Sequence, residues 1–361
     1  MAKSFSRLPP LPSLRDFIHM YKLRAKKVLS QNFLMDLNLT RKIVRQAGIK
    51  DSDAVVEVGP GPGGITRSIL ETNCKRLDVI EIDHRFIPAL QLLAEASDSR
   101  LFIHHKDVLK TNIGNIWQKA GIKPSSWIDE PPPLHIIGNL PFNISTPLII
   151  KFLYEISEHI GPWSFGRVQT TLTFQKEVAE RLCGIIDSDE RSRISIMAQY
   201  LTQPKILFNI PGSCFVPKPE VDATVVRFVP RIEPLIKCSF KLVEKFCRQV
   251  FHYRRKYVLA SIKTLYPKEL GNSLGHEVLS KTRIDPTIQC TKLGVEQFAE
   301  MCLVYEEQCQ RHPGLFLYDH VKPKPLDELA KLPNALPPVY KFSTKISSEG
   351  VSLSSFDSVF R

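Results

Sequence analysis

From about residue 54 the chain alternates short apolar runs with longer stretches in which apolar residues recur at helical spacing. Such alternation belongs to a mainly parallel sheet covered by helices. It predicts strands at Ala54–Val58, Leu77–Ile82, Leu101–His105, Leu134–Gly138 and Val168–Phe174. Connecting helices are predicted at Gly64–Glu71, Phe86–Glu95 and Thr146–Glu158. Lys205–Ile210 and Ala223–Val229, split by a loop containing Pro and Gly, predict a final antiparallel pair. The expected class is therefore α/β, with seven strands of which the last two are antiparallel.

Two other patterns divide the chain. Thr111–Pro133, with Pro131, Pro132 and Pro133 in a row, reads as a surface insertion before the fourth strand. Beyond Pro234 the strand-like runs cease, and Leu242, Phe246, Val250, Tyr253 and Tyr257 recur at helical spacing, so a small helical domain is expected. The expected division is a basic N-terminal segment over 1–27, an α/β domain over 28–232, a helical domain over 233–320 and a poorly ordered tail over 321–361.

Composition narrows the picture. Of the 361 residues 43% are hydrophobic and 24% charged, the balance of a globular chain, and no apolar run has the length needed to cross a bilayer. The formal net charge of +12 favours a polyanionic partner, because each phosphate neutralised releases condensed counterions. Part of that charge lies in the first thirty residues, where Lys3, Arg7, Arg15, Lys22, Arg24, Lys26 and Lys27 face only Asp16. Acid-poor, basic and partly amphipathic, this stretch fits either a mitochondrial presequence or a basic arm that touches RNA. The eight cysteines form no C-x-x-C pair and no His cluster has zinc-ligand spacing, so no metal site is expected.

The glycine-rich stretch Glu57–Gly64 follows the first strand and opens a helix. Glycines there let backbone approach a ligand, and the helix start offers unpaired N–H groups. Gly59, Gly61 and Gly64 also satisfy the G-x-G-x-x-G dinucleotide fingerprint, with Glu81 near the place of its ribose-binding acid, so glycines alone leave NAD and S-adenosylmethionine both open. A carboxylate at Glu81 can accept hydrogen bonds from both ribose hydroxyls, and one at Asp107, after the third strand, can accept the exocyclic amino group of an adenine. Together the three features favour the methyl donor.

Asn139-Leu140-Pro141-Phe142 stands directly after the fourth strand, at the carboxyl edge where open α/β sheets bind ligands. An exocyclic amine is a poor nucleophile because its lone pair is delocalised into the ring. The Asn139 side-chain oxygen and a neighbouring backbone carbonyl can accept hydrogen bonds from that amine, which aims the lone pair at a donor methyl. Pro141 fixes the turn without a competing N–H, and Phe142 offers a face on which a base can stack. A sulfonium leaving group departs without acid help, so no His/Asp or Cys/His constellation is required.

The chain resembles the rRNA adenine N6,N6-dimethyltransferase family from about Lys26 to Tyr318. The resemblance is carried by Ser30-Gln31-Asn32-Phe33-Leu34-Met35-Asp36, the glycine loop, Val79–Asp83, Asp107, Asn139–Phe142 and the loop Phe215–Asp222. Gly64–Leu70, Ile137–Ile149 and Arg191–Tyr200 are similar to the mitochondrial branch, whose members are also described as B-type mitochondrial transcription factors. The resemblance implies a Rossmann-like class I methyltransferase sheet with S-adenosylmethionine as cofactor. It implies cofactor contacts from Asn32, Leu34, Gly59, Gly61, Glu81, Ile82, Asp107, Val108 and Asn139, with the target adenine held between Phe142 and Phe215. The implied substrate is a pair of adjacent adenines in a hairpin loop of small-subunit rRNA. The expected setting is the assembling small ribosomal subunit in the mitochondrial matrix, for a chain acting as a monomer. A non-catalytic accessory factor of mitochondrial transcription on the same fold is the alternative, and the presence of Glu81, Asp107 and Asn139 argues for the enzyme.

Lys241, Lys245, Arg248, Arg254, Arg255, Lys256, Lys263 and Lys268 face the lone acid Glu244. Lys241, Lys245, Arg248 and Arg255 share one side of a predicted helix, with the apolar stripe on the other. In a basic chain with an adenine-shaped site, Lys241, Lys245, Arg248, Arg254, Arg255 and Lys256 are expected to contact RNA phosphates.

Overall fold

The structure, a computed structural model, describes Leu8 and residues 32–333 and 335–337. Ser30, Gln31, the basic segment 1–27 apart from Leu8, and the tail beyond 337 lie outside the described residues.

The first described elements are β1 (Phe33–Leu34) and α1 (Leu37–Ala47), followed by β2 (Ala54–Val58), α2 (Gly64–Leu70), β3 (Arg76–Glu81), α3 (Ile87–Glu95), β4 (Leu101–His105), α4 (Ile113–Lys119), β5 (Leu134–Gly138), α5 (Phe142–Glu158) and β6 (Gln169–Gln175). After α6 (Lys176–Leu182) and α7 (Arg193–Leu201) come β7 (Thr202–Ile210), β8 (Phe215–Val216) and β9 (Ala223–Pro230). The remaining helices are α8 (Phe240–Val250), α9 (Val258–Ile262), α10 (Lys268–Lys281), α11 (Val295–Arg311) and the single turn α12 (Leu326–Leu329).

Seven strands form one sheet in the order β4-β3-β2-β5-β6-β9-β7, while β1 and β8 pair separately. Neighbours are parallel from β4 to β6, and β6 meets β9 antiparallel. The class expected from the apolar pattern is the one observed. Every residue of β2 and β5 is buried, as expected for central parallel strands whose crossover helices cover both faces. The strand order reverses between β2 and β5, so the loops after them flank the crevice where such sheets take ligands. These two strands lie unusually close at their ends. A Cβ on Gly138 would stand 2.5 Å from both the carbonyl oxygen and a methyl of Val58, so only glycine fits.

Two local signals explain the lead-in to the sheet. The Asp36 carboxylate caps α1 by accepting from the amides of Asn38 and Leu39, and Gly48 closes that helix in the left-handed region. β1 then pairs with β8, setting Phe33 opposite Val216 and Leu34 opposite Phe215. Phe33 meets Phe86 edge-on at 5.1 Å inside the apolar cluster under the glycine loop.

The chain divides into two compact units. One runs to Lys176 and resumes over Leu207–Val229; the other takes Glu177–Ile206 and the chain from Pro230. This departs from the expected division into 28–232 and 233–320, because residues 177–206, which hold α6, α7 and the start of β7, fall in the second unit.

Three further expectations are corrected. The stretch Thr111–Pro133 is not only surface insertion, since α4 lies within it with Ile113 and Trp117 fully buried. The helix carrying the basic face stops at Val250, so Tyr253 is only half-buried and Tyr257 is 61% exposed, outside any apolar stripe. The start of the expected tail, up to 333, holds α12, whose Leu329 is buried.

Candidate active site

The loop from β2 to α2 sets the floor of the site. Gly59 has φ +66, and a Cβ there would come within 2.9 Å of the Leu140 side chain, so the backbone itself forms a cradle. Behind it, Thr66 donates to the Glu57 carboxyl at 2.6 Å. Burial, with Glu81 nearby, pushes the Glu57 carboxyl up to about 8.

Glu81 ends β3 with its carboxylate oriented by two amides. Gly61 N donates to Oε2 at 2.9 Å and Asp83 N donates to Oε1 at 2.8 Å. The carboxylate retains acceptor capacity for a further donor. Burial raises the Glu81 pKa, and the amides from Asp83 and Gly61 oppose that shift by stabilising the charged form.

The opposite wall comes from the turn after β4. Asp107 Oδ1 accepts from Leu109 N at 2.9 Å, and Thr111 Oγ1 donates to the Asp107 carbonyl at 2.7 Å. From α5, the buried Lys151 ammonium donates to the carbonyls of Val108 and Thr111 and pairs with Glu155 at 3.2 Å. Burial raises the Glu155 carboxyl to about 7, against the opposing charge of Lys151.

Asn139 stands one residue past β5. Its Nδ2 donates to the Asn32 carbonyl at 3.1 Å, and its Oδ1 accepts from Thr173 Oγ1 at 2.7 Å. Asn32, Leu34, Gly59, Gly61, Glu81, Ile82, Asp107, Val108, Asn139, Leu140 and Pro141 all border a single cleft. Ile82, 54% exposed, forms part of its rim.

Phe142 and Phe215 are not brought to that cleft. Phe215 is 3% exposed in its pairing with Leu34, and Phe142 packs against the same apolar cluster. Phe215 is covered by core neighbours and Phe142 is half-buried, so an adenine held between them requires the Phe215 ring to be uncovered. Thr66, Lys151 and Thr173 escaped the sequence reading. A strand reading Thr170-Thr171-Leu172-Thr173 through a buried sheet is the one signal that could have drawn attention to Thr173.

The basic residues of the second unit sort by exposure. Lys241 and Arg248 are exposed on α8, and Arg255 and Lys256 are exposed on the turn after it. Arg254 donates to the Asp189 carbonyl, and Lys256 lies over the Tyr253 ring. Lys245 is a correction. It is 7% exposed, donating to the carbonyls of Phe316 and Tyr318, and burial lowers its pKa to about 8. The position one turn from Lys241 faces the interior of the unit, where an aliphatic stem packs and the ammonium satisfies two carbonyls.

Comparison with known proteins agrees with this architecture. The sequence model of the family described as ribosomal RNA adenine dimethylase matches residues 22–307. A relative named mitochondrial dimethyladenosine transferase 1 from Caenorhabditis elegans is 61% identical over 339 residues, covering 93% of this chain and 92% of its own length. The protein of that name from Homo sapiens is 50% identical over 316 residues, covering 88% and 91%. Among solved structures, a dimethyladenosine transferase from Plasmodium falciparum superposes with a TM-score of 0.60 at 24% identity, over 76% of this chain and 98% of that one. The 23S rRNA methyltransferase ErmE superposes with a TM-score of 0.53 at 21% identity, over 76% and 100%. At those identities the two structures speak to the fold alone. The match over most of the sequence, to the family model and to full-length relatives, settles the assignment: the chain belongs to the ribosomal RNA adenine dimethylase family.

Proposed function

We propose that the chain transfers methyl groups from S-adenosylmethionine to N6 of two adjacent adenines in a hairpin loop of mitochondrial small-subunit rRNA, and so serves assembly of that subunit in the matrix. The observation that carries this reading is the Asn139 carboxamide, held by Asn32 and Thr173 at the mouth of a cleft that also contains Glu81 and Asp107. The mitochondrial names of the relatives support the location, and the chain is read as acting as a monomer.

The residues fit an adenosyl group. The Gly59 backbone would lie bare against the ligand, and the Glu81 carboxylate, held by amides of Gly61, Asp83 and Ile82, keeps acceptor capacity for a ribose hydroxyl. Asp107 spends Oδ1 on Leu109 N and keeps acceptor capacity for an adenine amine. Held by the Gly59 loop, Glu81 and Asp107, S-adenosylmethionine would supply the methyl, the amine lone pair forming the N–C bond as the S–C pair returned to sulfur and the surplus proton passed to water. Asn139 Oδ1 accepts an N–H of the target amine and turns its lone pair toward the donor. Exposed Lys241, Arg248, Arg255 and Lys256, with Arg254 beside them, would hold the phosphates of the hairpin. An unpaired loop lowers the cost of lifting an adenine from its stack.

The test is methyl transfer from labelled S-adenosylmethionine to mitochondrial small-subunit rRNA by the wild-type chain and by Asn139→Ala, with nucleosides resolved after digestion. Dimethyladenosine formed by the first and lost in the second is the expected result. Cofactor and assembled RNA both bound by the wild type, with no methyl transferred, would overturn the reading.

A further inference from the structure

We propose that Thr173 is a positioning residue for methyl transfer and that it governs how far the reaction runs from the monomethyl to the dimethyl product. The proposal rests on the reading of Asn139 as acceptor for the target amine.

The geometry is specific. β5 and β6 are parallel, with Gly138 opposite Leu172, so Asn139 and Thr173 each stand one residue past that pair. Thr173 is 1% exposed, and its hydroxyl lies 2.7 Å from Asn139 Oδ1. A hydroxyl has one proton and a carboxamide oxygen has none, so Thr173 donates. At the other end of the amide, Nδ2 donates to the Asn32 carbonyl at 3.1 Å. Turning the amide over would set Oδ1 against that carbonyl, two acceptors face to face. The two contacts therefore fix which end of Asn139 is oxygen and where its remaining lone pair points.

The consequence differs between the two transfers. Unmethylated N6 carries two N–H groups, which Asn139 Oδ1 and a neighbouring backbone carbonyl can share. After the first transfer one N–H is left, so the nitrogen lone pair is aimed through a single hydrogen bond. A carboxamide free to swivel costs little while two contacts hold the amine and much more when one does. In both transfers one N–C bond replaces one S–C bond and one proton leaves for water, so only the orientation differs.

The experiment compares the wild-type chain with Thr173→Val, which keeps the branched shape and loses the hydroxyl, and with Thr173→Ser, which keeps the hydroxyl. Thr173→Ala, also without the hydroxyl, must behave like Thr173→Val and replaces it if that variant does not fold. Monomethyl- and dimethyladenosine are resolved over time on mitochondrial small-subunit rRNA, alongside thermal unfolding and S-adenosylhomocysteine binding. For Thr173→Val the second transfer should slow by about tenfold, equivalent to about 1.4 kcal/mol, with monomethyladenosine accumulating. S-adenosylhomocysteine affinity should stay near wild type, the unfolding midpoint should fall in Thr173→Val and Thr173→Ala as one buried hydrogen bond is lost, and Thr173→Ser should restore the product ratio. Wild-type product ratios in Thr173→Val, or equal losses in the Val and Ser variants, would overturn the proposal. A wild-type chain that transfers no methyl at all would instead bring down the reading of the site on which it rests.

Discussion

The Lys151 ammonium, buried on α5, lies 2.8 Å from the Thr111 carbonyl and 3.3 Å from that of Val108, and so ties down the turn that presents Asp107 to the cleft. Few buried cations are spent on backbone oxygens alone, and here Glu155 completes the arrangement. Lys151→Met leaves the Thr111 carbonyl without its donor, while the Val108 carbonyl keeps the bond from Thr111 N. Glu155, already raised to about 7, takes up a proton once the cation is gone. The cost should therefore be near the about 1–3 kcal/mol of unsatisfied polar groups, below the about 3–5 kcal/mol of a stripped ion pair. Urea unfolding gives that number. Calorimetry with S-adenosylhomocysteine should show a weakened site, and unchanged affinity would mean that the turn is held without Lys151.

Glu57 predicts a pH dependence. Its folded value of about 8 lies above the ordinary 4.5, so the folded chain binds a proton that the unfolded chain releases. The sign follows: this contribution is complete below pH 4.5 and is lost as pH rises through about 8. Glu57→Gln carries no titrating group. Between about pH 5 and about pH 8 its unfolding free energy should vary less than that of the wild type, measured at constant ionic strength. Parallel curves for the two proteins would refute the assignment.

At Glu81 the substitution to Gln replaces an acceptor with a donor. Since Gly61 N and Asp83 N both point at the carboxylate, one of them must then face an NH2 group. A loss of about 1–3 kcal/mol in stability is expected from the unmet donor. S-adenosylhomocysteine affinity should fall more than tenfold, about 1.4 kcal/mol, because a ribose acceptor is lost as well. Titration calorimetry at neutral pH reads the affinity, and binding equal to wild type would remove Glu81 from the ribose site.

The basic face of the second unit offers a contrast within one helix. Lys241→Glu with Arg248→Glu should weaken RNA binding and lower the slope of log K against log salt, each lost phosphate contact removing about 1 from it. Lys245→Met should leave that slope alone and instead cost about 1–3 kcal/mol of stability, because the carbonyls of Phe316 and Tyr318 lose their donor. Filter binding across a salt series distinguishes the two. Equal effects on the slope would place Lys245 on the RNA surface after all.

The centre of the parallel core was legible because its strands are buried on both faces and read as short, mostly apolar runs; Ala54–Val58 and Leu134–Gly138 lie where the pattern puts them, as does the partly exposed edge strand Leu101–His105. α1 carries an Asp36 cap, a left-handed Gly48 and buried Thr40, Ile43, Val44 and Ala47 at helical spacing, but the stripe is interrupted by Arg41, Lys42 and Arg45 and stands before the strand–helix alternation that marks the sheet. The cleft residues could be found because motif and strand end coincide. Their supports could not: Lys151 and Thr173 come near their partners only through the crossovers of the sheet, and Thr66 reaches Glu57 only because the glycine loop folds its helix back on β2. Lys245 misled for a related reason: charge counted along a helix does not tell which positions find carbonyls inside.

Gly138 sets a gauge. With the backbone of β5 brought against Val58 too closely for any side chain, the Gly59 loop and the Asn139 segment are mounted on two rails with no adjustable spacer between them. Reach across the site is then a property of main-chain geometry, and chance variation in side-chain size near the crevice has little purchase on it. On the proposed function, adjustment would come from the RNA, whose adenine would travel to a fixed mark, and from groups such as Thr173 that hold the Asn139 carboxamide.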